Sequence, residues 1–439
     1  LKKAKLFQYR PPKFFNDYLV AGLNNTVFIP SKYQAYQGPP SGPISPSNGN
    51  ELSGLIRLGT LDLFEDYKIS GGFRIAPNLK DNDILFEFTN LKRRFDWGFT
   101  YFRSSQEVGA SVIVNGTQVD GLAAKTFANY YLGRIKYALD KTRSIRATIG
   151  PRFDRAIIST QNPSDPAGVG ILSLLVPDQK TTYIQSSLEY VHDNTLNPAT
   201  NIWHGLRWKA YTDIFSQVDK VRSTEGRFLF NAGFDARHYL PIYRNVIWAV
   251  RAAGDFSWGS QKVIYYLGGT DGWLKFGSNQ KSDGTYRYLN PNPVPDANIP
   301  YAYQALAVNL RGFKQNVANG NNNVVINSEV RMPVFSTFFN RPINNAFLRN
   351  FQVIQFFDLG TAWNGTYNSI KRPNVIYQDP NSNVSINVKA GGIGPFAGGY
   401  GFGARSTLLG YFVRFDAAWQ MNGFFRGKPQ TYLSLGLDF

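Results

Sequence analysis

Residues 227–237 read Arg-Phe-Leu-Phe-Asn-Ala-Gly-Phe-Asp-Ala-Arg, and their alternation decides the fold. Phe228, Phe230, Ala232, Phe234 and Ala236 share one face of an extended chain, and Arg227, Asn231, Gly233, Asp235 and Arg237 share the other. Leu229 is the exception. One face suits lipid and the other suits water. The split recurs at 246–258, where Trp248, Val250, Phe256 and Trp258 oppose Arg251, Asp255 and Ser257, and at 411–419, where Val413 and Phe415 oppose Arg414 and Asp416. A soluble sandwich also alternates, but it has no need of so many long strands with charges at mid-strand.

A tilted membrane strand needs about 9–11 residues. Blocks of that kind fall at 15–30, 51–63, 66–77, 81–92, 94–106, 124–139, 142–157, 180–194, 203–217 and 225–239. Six more follow at 244–258, 322–334, 350–363, 398–409, 411–421 and 430–439. The expected fold is therefore all-β, a 16-stranded antiparallel transmembrane β-barrel with long external loops. Connections after blocks 2, 4, 6, 10 and 14 are tight, as at Asp140-Lys141, the 241–243 corner and Leu409-Gly410, whereas 36–50, 160–179 and 259–321 are long. Those after blocks 8 and 12 are longer than strict alternation predicts. The bias places both chain ends in the periplasm of a Gram-negative outer membrane, with 1–16 expected as a periplasmic linker from a missing N-terminal region, 17–439 as the barrel and 259–321 as an enlarged sixth external loop.

Composition narrows the function. No apolar run reaches the roughly 18 residues of a membrane helix, and 1–10, with Lys2, Lys3 and Lys5, lacks the apolar core and cleavage site of a signal peptide. Lys and Arg number 47 against 30 Asp and Glu, yet they are dispersed, so nucleic acid is not an expected partner. Outer-membrane lipid and lipopolysaccharide, and a wet charged lumen, account for them better. Cysteine is absent and the only histidines, His192, His204 and His238, fall on three different strands, so no metal site and no cofactor are expected. No Gly-x-Ser-x-Gly elbow and no P-loop occur, and no enzyme is expected. The glycine run from Gly391 to Gly403 leads into a strand and reads as a place where loops approach or the wall bends.

The C-terminal 180 residues carry a more specific pattern. Gly268 and Gly269 precede Arg311, Gly312 and Phe313; then come Asn327 and Glu329, Pro333-Val334-Phe335, and Phe357-Asp358-Leu359-Gly360 with Trp363. This order resembles the outer-membrane protein assembly-factor superfamily typified by BamA, in which a Gly-Gly element precedes an Arg-Gly-Phe/Tyr tip in the sixth external loop. The resemblance continues through Gly401 to Arg405 and the strand around Arg414 to Phe439. It implies a sixth loop folded into the lumen. Two departures stand out: an insertion of about 40 residues between Gly269 and Leu310, which would form an external lid or partner surface, and no periplasmic POTRA repeats ahead of the barrel.

Parity alone lets Glu329 and Asp358 both face the lumen from adjacent strands, with Asn327 and Arg331 beside the first. Arg311, freed by Gly312 to turn sharply, would take both carboxylates, with Phe313 wedged beside it. Arg311, Gly312, Phe313, Glu329 and Asp358 thus form the expected loop-to-wall lock. The final strand is expected to carry Leu433, Leu435, Leu437 and Phe439 toward lipid, and Ser434, Gly436 and Asp438 toward the lumen, with Gly436 bending a seam against the first strand.

Three functions follow. The resemblance implies assembly or translocation through a lateral seam, with outer-membrane clients and periplasmic or lipoprotein partners. The alternative is a loop-plugged anchor or interaction subunit of an envelope complex, and the third is a passive porin.

Overall fold

The computed structural model describes residues 14–24, 32–36, 38–40, 42–44, 53–75, 81–114, 117–159, 178–219, 226–282, 284–307, 309–339, 342–378 and 385–439. Most of the 1–16 linker, residues 45–50 of the first loop and residues 160–177 lie outside them.

Among the described residues, sixteen long strands run in chain order through one antiparallel sheet, to which the short segments Leu196–Ala199 and Gly392–Ile393 also belong. The long strands of the first half are β1 (Phe14–Asn24), β2 (Ser53–Asp62), β3 (Tyr67–Ile75), β4 (Asn82–Asn90), β5 (Phe95–Val114), β6 (Thr117–Ala138), β7 (Arg143–Ser159) and β8 (Gln179–Asp193). The second half is β9 (Ile202–Gln217), β10 (Phe228–Tyr243), β11 (Val246–Gly259), β12 (Asn322–Pro333), β13 (Gln352–Trp363), β14 (Phe396–Leu408), β15 (Tyr411–Gln420) and β16 (Gln430–Leu435). Each pairs with its neighbour in sequence.

The sheet inverts the usual arrangement of a soluble protein. Outward residues are large, apolar and exposed, among them Phe99, Ile149, Leu188, Trp248, Trp258 and Phe415, while inward Arg74, Arg152, Arg331 and Arg405 are almost wholly buried. A contiguous exposed apolar band of this extent marks contact with lipid. Leu229, the exception in the alternation, points inward and shares a buried cluster with Tyr33, Val263 and Tyr265 of the loops. It is apolar because loops cover it.

Turn chemistry follows the sequence. Asp140 Oδ1 accepts the backbone N–H groups of Thr142 and Arg143 at 2.8 and 2.7 Å, and Leu409 and Gly410 both have positive φ, 50° and 85°, as a tight two-residue hairpin requires. The blocks expected at 94–106 and 124–139, with a long connection between them, are a correction: β5 and β6 continue their ladder to Val114↔Thr117.

A second sheet lies inside. Its order is Ala318–Gly320, Lys262–Leu267, Tyr301–Ala307 and Gln34–Ala35, the middle pair parallel and the outer pairs antiparallel. The last part of the insertion folds inward, since Tyr301–Ala307 completes a ladder with Lys262–Leu267 and Tyr303 is fully buried, whereas Phe276 and Val294 earlier in it are exposed at 57% and 61%. Part of the first loop enters too. The Tyr33 hydroxyl donates to Asp213, Arg152 Nη1 donates to Tyr33 O at 3.0 Å, and Lys32 Nζ reaches Asp255 at 2.5 Å. Among the described residues, parts of the first loop thus pack inside the wall together with the sixth.

β1 and β16 are the two edges of the wall, and among the described residues no ladder joins them. Near the far end of β1, a Cβ on Gly22 would sit 3.3 Å from the Tyr411 hydroxyl of β15. β16 is shorter than expected and leaves the wall at Gly436, where φ is +105°. Phe439 corrects the parity reading: it does not face lipid but is 4% exposed, packed with Ile202, Tyr239, Ile247 and Ala249 across the interior. Period-two parity ends where the backbone turns out of the strand. Leu433 and Leu437 remain exposed, at 39% and 41%.

Candidate functional site

The tip of the sixth loop is built around its glycines. Gly269 donates to Leu310 O at 3.2 Å and Phe313 O at 3.1 Å, and Leu310 N returns a bond to Gly269 O at 3.0 Å. Gly268 (φ +114°), Gly269 (φ +83°) and Gly312 (φ +96°) adopt the left-handed conformations that such a fold-back needs. The tip then lies directly on the glycine-rich strand. A Cβ at Gly399 would be 1.8 Å from Arg311 O, so Gly399→Ala is expected to push the tip off the wall, seen as a lower unfolding midpoint in detergent; an unchanged midpoint would remove this contact from the account.

At that tip Arg311 meets its carboxylates. Nε and Nη2 bind the two oxygens of Asp358 at 2.7 and 2.9 Å, the Arg311 N–H adds a third bond at 3.1 Å, and Nη2 lies 2.7 Å from Glu329 Oε1. The guanidinium also stacks 3.6 Å from the centroid of Phe356. Bidentate pairing in a dry setting is the strong form of the contact, and a desolvated cation on a ring adds about 2 kcal/mol. Burial alone would favour neutral Arg311, but Asp358 and Glu329 outweigh it and hold it charged. Asn327 Nδ2 donates to Asp358 Oδ1 at 2.8 Å and to Asn309 O at 2.6 Å. Gly312 N–H donates to the Tyr432 hydroxyl at 3.0 Å, and that hydroxyl donates to Phe313 O at 2.7 Å. Phe313 is 3% exposed.

A second cluster, unforeseen as a unit, adjoins the first. Asp438 binds Arg405 Nε at 2.9 Å, Arg414 Nη1 at 3.2 Å and Asn201 Nδ2 at 2.9 Å. Arg405 also holds Asp416 at 2.8 Å, and Arg331 joins Glu329 at 2.9 Å to Phe439 O at 2.9 Å. The tail beyond β16 is thereby tied to the connection before β9, on the far side of the interior. Lumen parity was a usable signal for Arg405, Arg414 and Asp416; nothing local marked Asn201.

A cavity of about 620 Å³ lies under Lys32 and Tyr33, lined by Arg134, Lys136, Arg146 and Lys209 among others. His192, His204 and His238 sit on β8, β9 and β10, and no metal-binding group of side chains occurs among the described residues.

No family model matches the sequence, and no curated protein matches it. Structural comparison does give a likeness: BamA from Haemophilus ducreyi lacking POTRA domains 1–3 superposes with a TM-score of 0.52 at 12% identity, over 96% of this chain and 76% of that one. The fold is that of the BamA barrel. CdiB from Escherichia coli is also similar, with a TM-score of 0.44 at 12% identity over 88% of this chain and 59% of that one. The chain is thus a BamA-like, outer-membrane-type β-barrel.

Proposed function

We propose that this BamA-like barrel acts in outer-membrane protein assembly or translocation, through the seam between β1 and β16. The observation that carries the reading is the seam itself. β16 keeps only six residues in the wall, Gly436 turns the chain inward, and no β1–β16 ladder occurs among the described residues. A strand edge without a full-length neighbouring strand can recruit another strand. The partners that follow are client outer-membrane proteins, periplasmic or lipoprotein components and lipopolysaccharide-bearing lipid, with both chain ends periplasmic.

A photo-crosslinking residue at Leu433 or Leu435 is expected to capture a barrel client during its synthesis, whereas one at lipid-facing Leu188 captures none. Identical adducts at all three sites would overturn the proposal. A second reading, a plugged anchor of an envelope complex, draws on the two loops packed in the lumen. The same packing predicts little steady conductance in planar bilayers, and a large constant current would favour a porin instead.

A further inference from the structure

The free edge of β16 is already occupied by the protein's own sixth loop. Ser434 pairs with Arg414, and Gly436 N–H donates to Phe412 O at 3.0 Å, so the backbone groups of Leu433 and Leu435 point to the opposite edge, away from β15. There Leu274 N donates to Leu433 O at 2.8 Å and Leu435 N donates to Gly272 O at 3.1 Å, with Trp273 opposite Ser434 in an antiparallel bridge. Residues 272–274 take the position an added strand would take.

The side chains make that position selective. Trp273, 4% exposed, sits edge-on to Tyr432 at 4.7 Å and to Tyr288 at 5.2 Å, in a cluster with Ile354, Phe356 and Ala418. Gly272 comes so close to the strand that a Cβ would lie 2.2 Å from Leu435 O. Beside the bridge, Arg414 Nη2 donates to the Asp271 carboxylate at 2.9 Å and to its backbone oxygen, and Asp271 N–H donates to Asn309 Oδ1 at 2.9 Å, so polar contacts set around one carboxylate hold the segment in place. The next residue, Lys275, is buried with its amine 3.3 Å from Ile44 O, and burial pushes that amine down to about 7. A buried amine of this kind works against docking.

We infer that the outer edge of β16 is an acceptor for an extended polypeptide strand carrying a glycine followed by a large aromatic residue, and that residues 272–274 are an internal stand-in which such a strand displaces. The inference rests on the seam reading and adds to it what the edge recognises and what keeps it covered. Pairing uses the backbone, and the Trp273 pocket supplies the selection.

The test uses the whole chain in detergent and a labelled peptide of the loop's own sequence, Thr-Asp-Gly-Trp-Leu-Lys-Phe. Trp273 and Ser434 form a non-hydrogen-bonded pair, whose Cα atoms stand about 4.5 Å apart, so a Trp273→Cys/Ser434→Cys variant can be closed by a disulfide in this otherwise cysteine-free protein. The reduced variant is expected to bind the peptide, the oxidised one to bind at least tenfold less, and a peptide with alanine for tryptophan to bind at least tenfold less to the reduced form. Asp271→Ala, which loosens the tether without altering β16, is expected to bind the peptide more tightly than the unaltered protein. Equal binding by oxidised and reduced forms, or no binding by either the reduced variant or Asp271→Ala, overturns the inference. Client insertion measured on the same samples separates the two proposals. Insertion without peptide selectivity keeps the seam function and removes the stand-in; peptide selectivity without insertion does the reverse.

Discussion

Arg311→Ala is expected to lower the unfolding free energy by about 3–5 kcal/mol, the usual loss when one member of a buried charge cluster is removed. The loss is large because Asp358 and Glu329, at 0% and 1% exposure, stay behind in a dry interior. Glu329 keeps Arg331 at 2.9 Å, but Asp358 keeps only the Asn327 amide and a loop N–H. Arg311→Lys should recover only part of the stability, since an ammonium cannot bind both Asp358 oxygens side by side while stacking on Phe356. Urea unfolding followed by tryptophan fluorescence reads the difference, and a loss below about 1 kcal/mol, the range of exposed pairs, would mean that the loop is not held there.

The second large effect is expected from Asp438→Ala. This carboxylate stands between Arg405 and Arg414 and also accepts from Asn201. Because Arg405 retains Asp416 and Arg414 retains Asp271, the loss should fall near the lower end of the same range of about 3–5 kcal/mol. Its structural consequence is wider than its energy. The tail loses its hold on the far wall, and Phe439 leaves its pocket with Ile202 and Tyr239. Burial opposes ionisation of Asp438, but Arg405, Arg414 and Arg331 together hold its carboxyl well below the usual carboxylate range. The sign follows. The unfolded group ionises near pH 4, so its contribution is fully present above that value and is lost as pH falls through the lower folded value. An Asp438→Asn variant should therefore differ most from the unaltered protein at neutral pH and converge with it in strong acid. A gap that does not narrow with acid would assign the effect to packing alone.

The wall was legible because lipid on one side and water on the other impose period two on every strand, and sixteen blocks reappear as sixteen strands. The interior was less so. Gln34–Ala35 and Ala318–Gly320 are two and three residues long, too short to carry a period, and their partners are far away in sequence. Leu229 was the one visible trace of that interior, an apolar residue on the water-facing side where a loop packs. The carboxylates of Glu329 and Asp358 could be placed from strand parity, and Arg311 from the glycine beside it. Phe439 could not, because parity assumes a strand and Gly436 ends it. Trp273 gave no local sign of its pairing, which depends on the backbone at Ser434, 161 residues later.

The central claim is that the sixth loop lies locked inside a BamA-like barrel, and cysteine labelling tests it most directly. Thr270, 7% exposed, and Phe276, 57% exposed, belong to the same loop, and the protein has no cysteine of its own. A bulky water-soluble maleimide should modify Phe276→Cys readily and Thr270→Cys at least tenfold more slowly, with the difference abolished when Arg311→Ala is added. Equal labelling of the two positions in the otherwise unaltered chain would contradict the account.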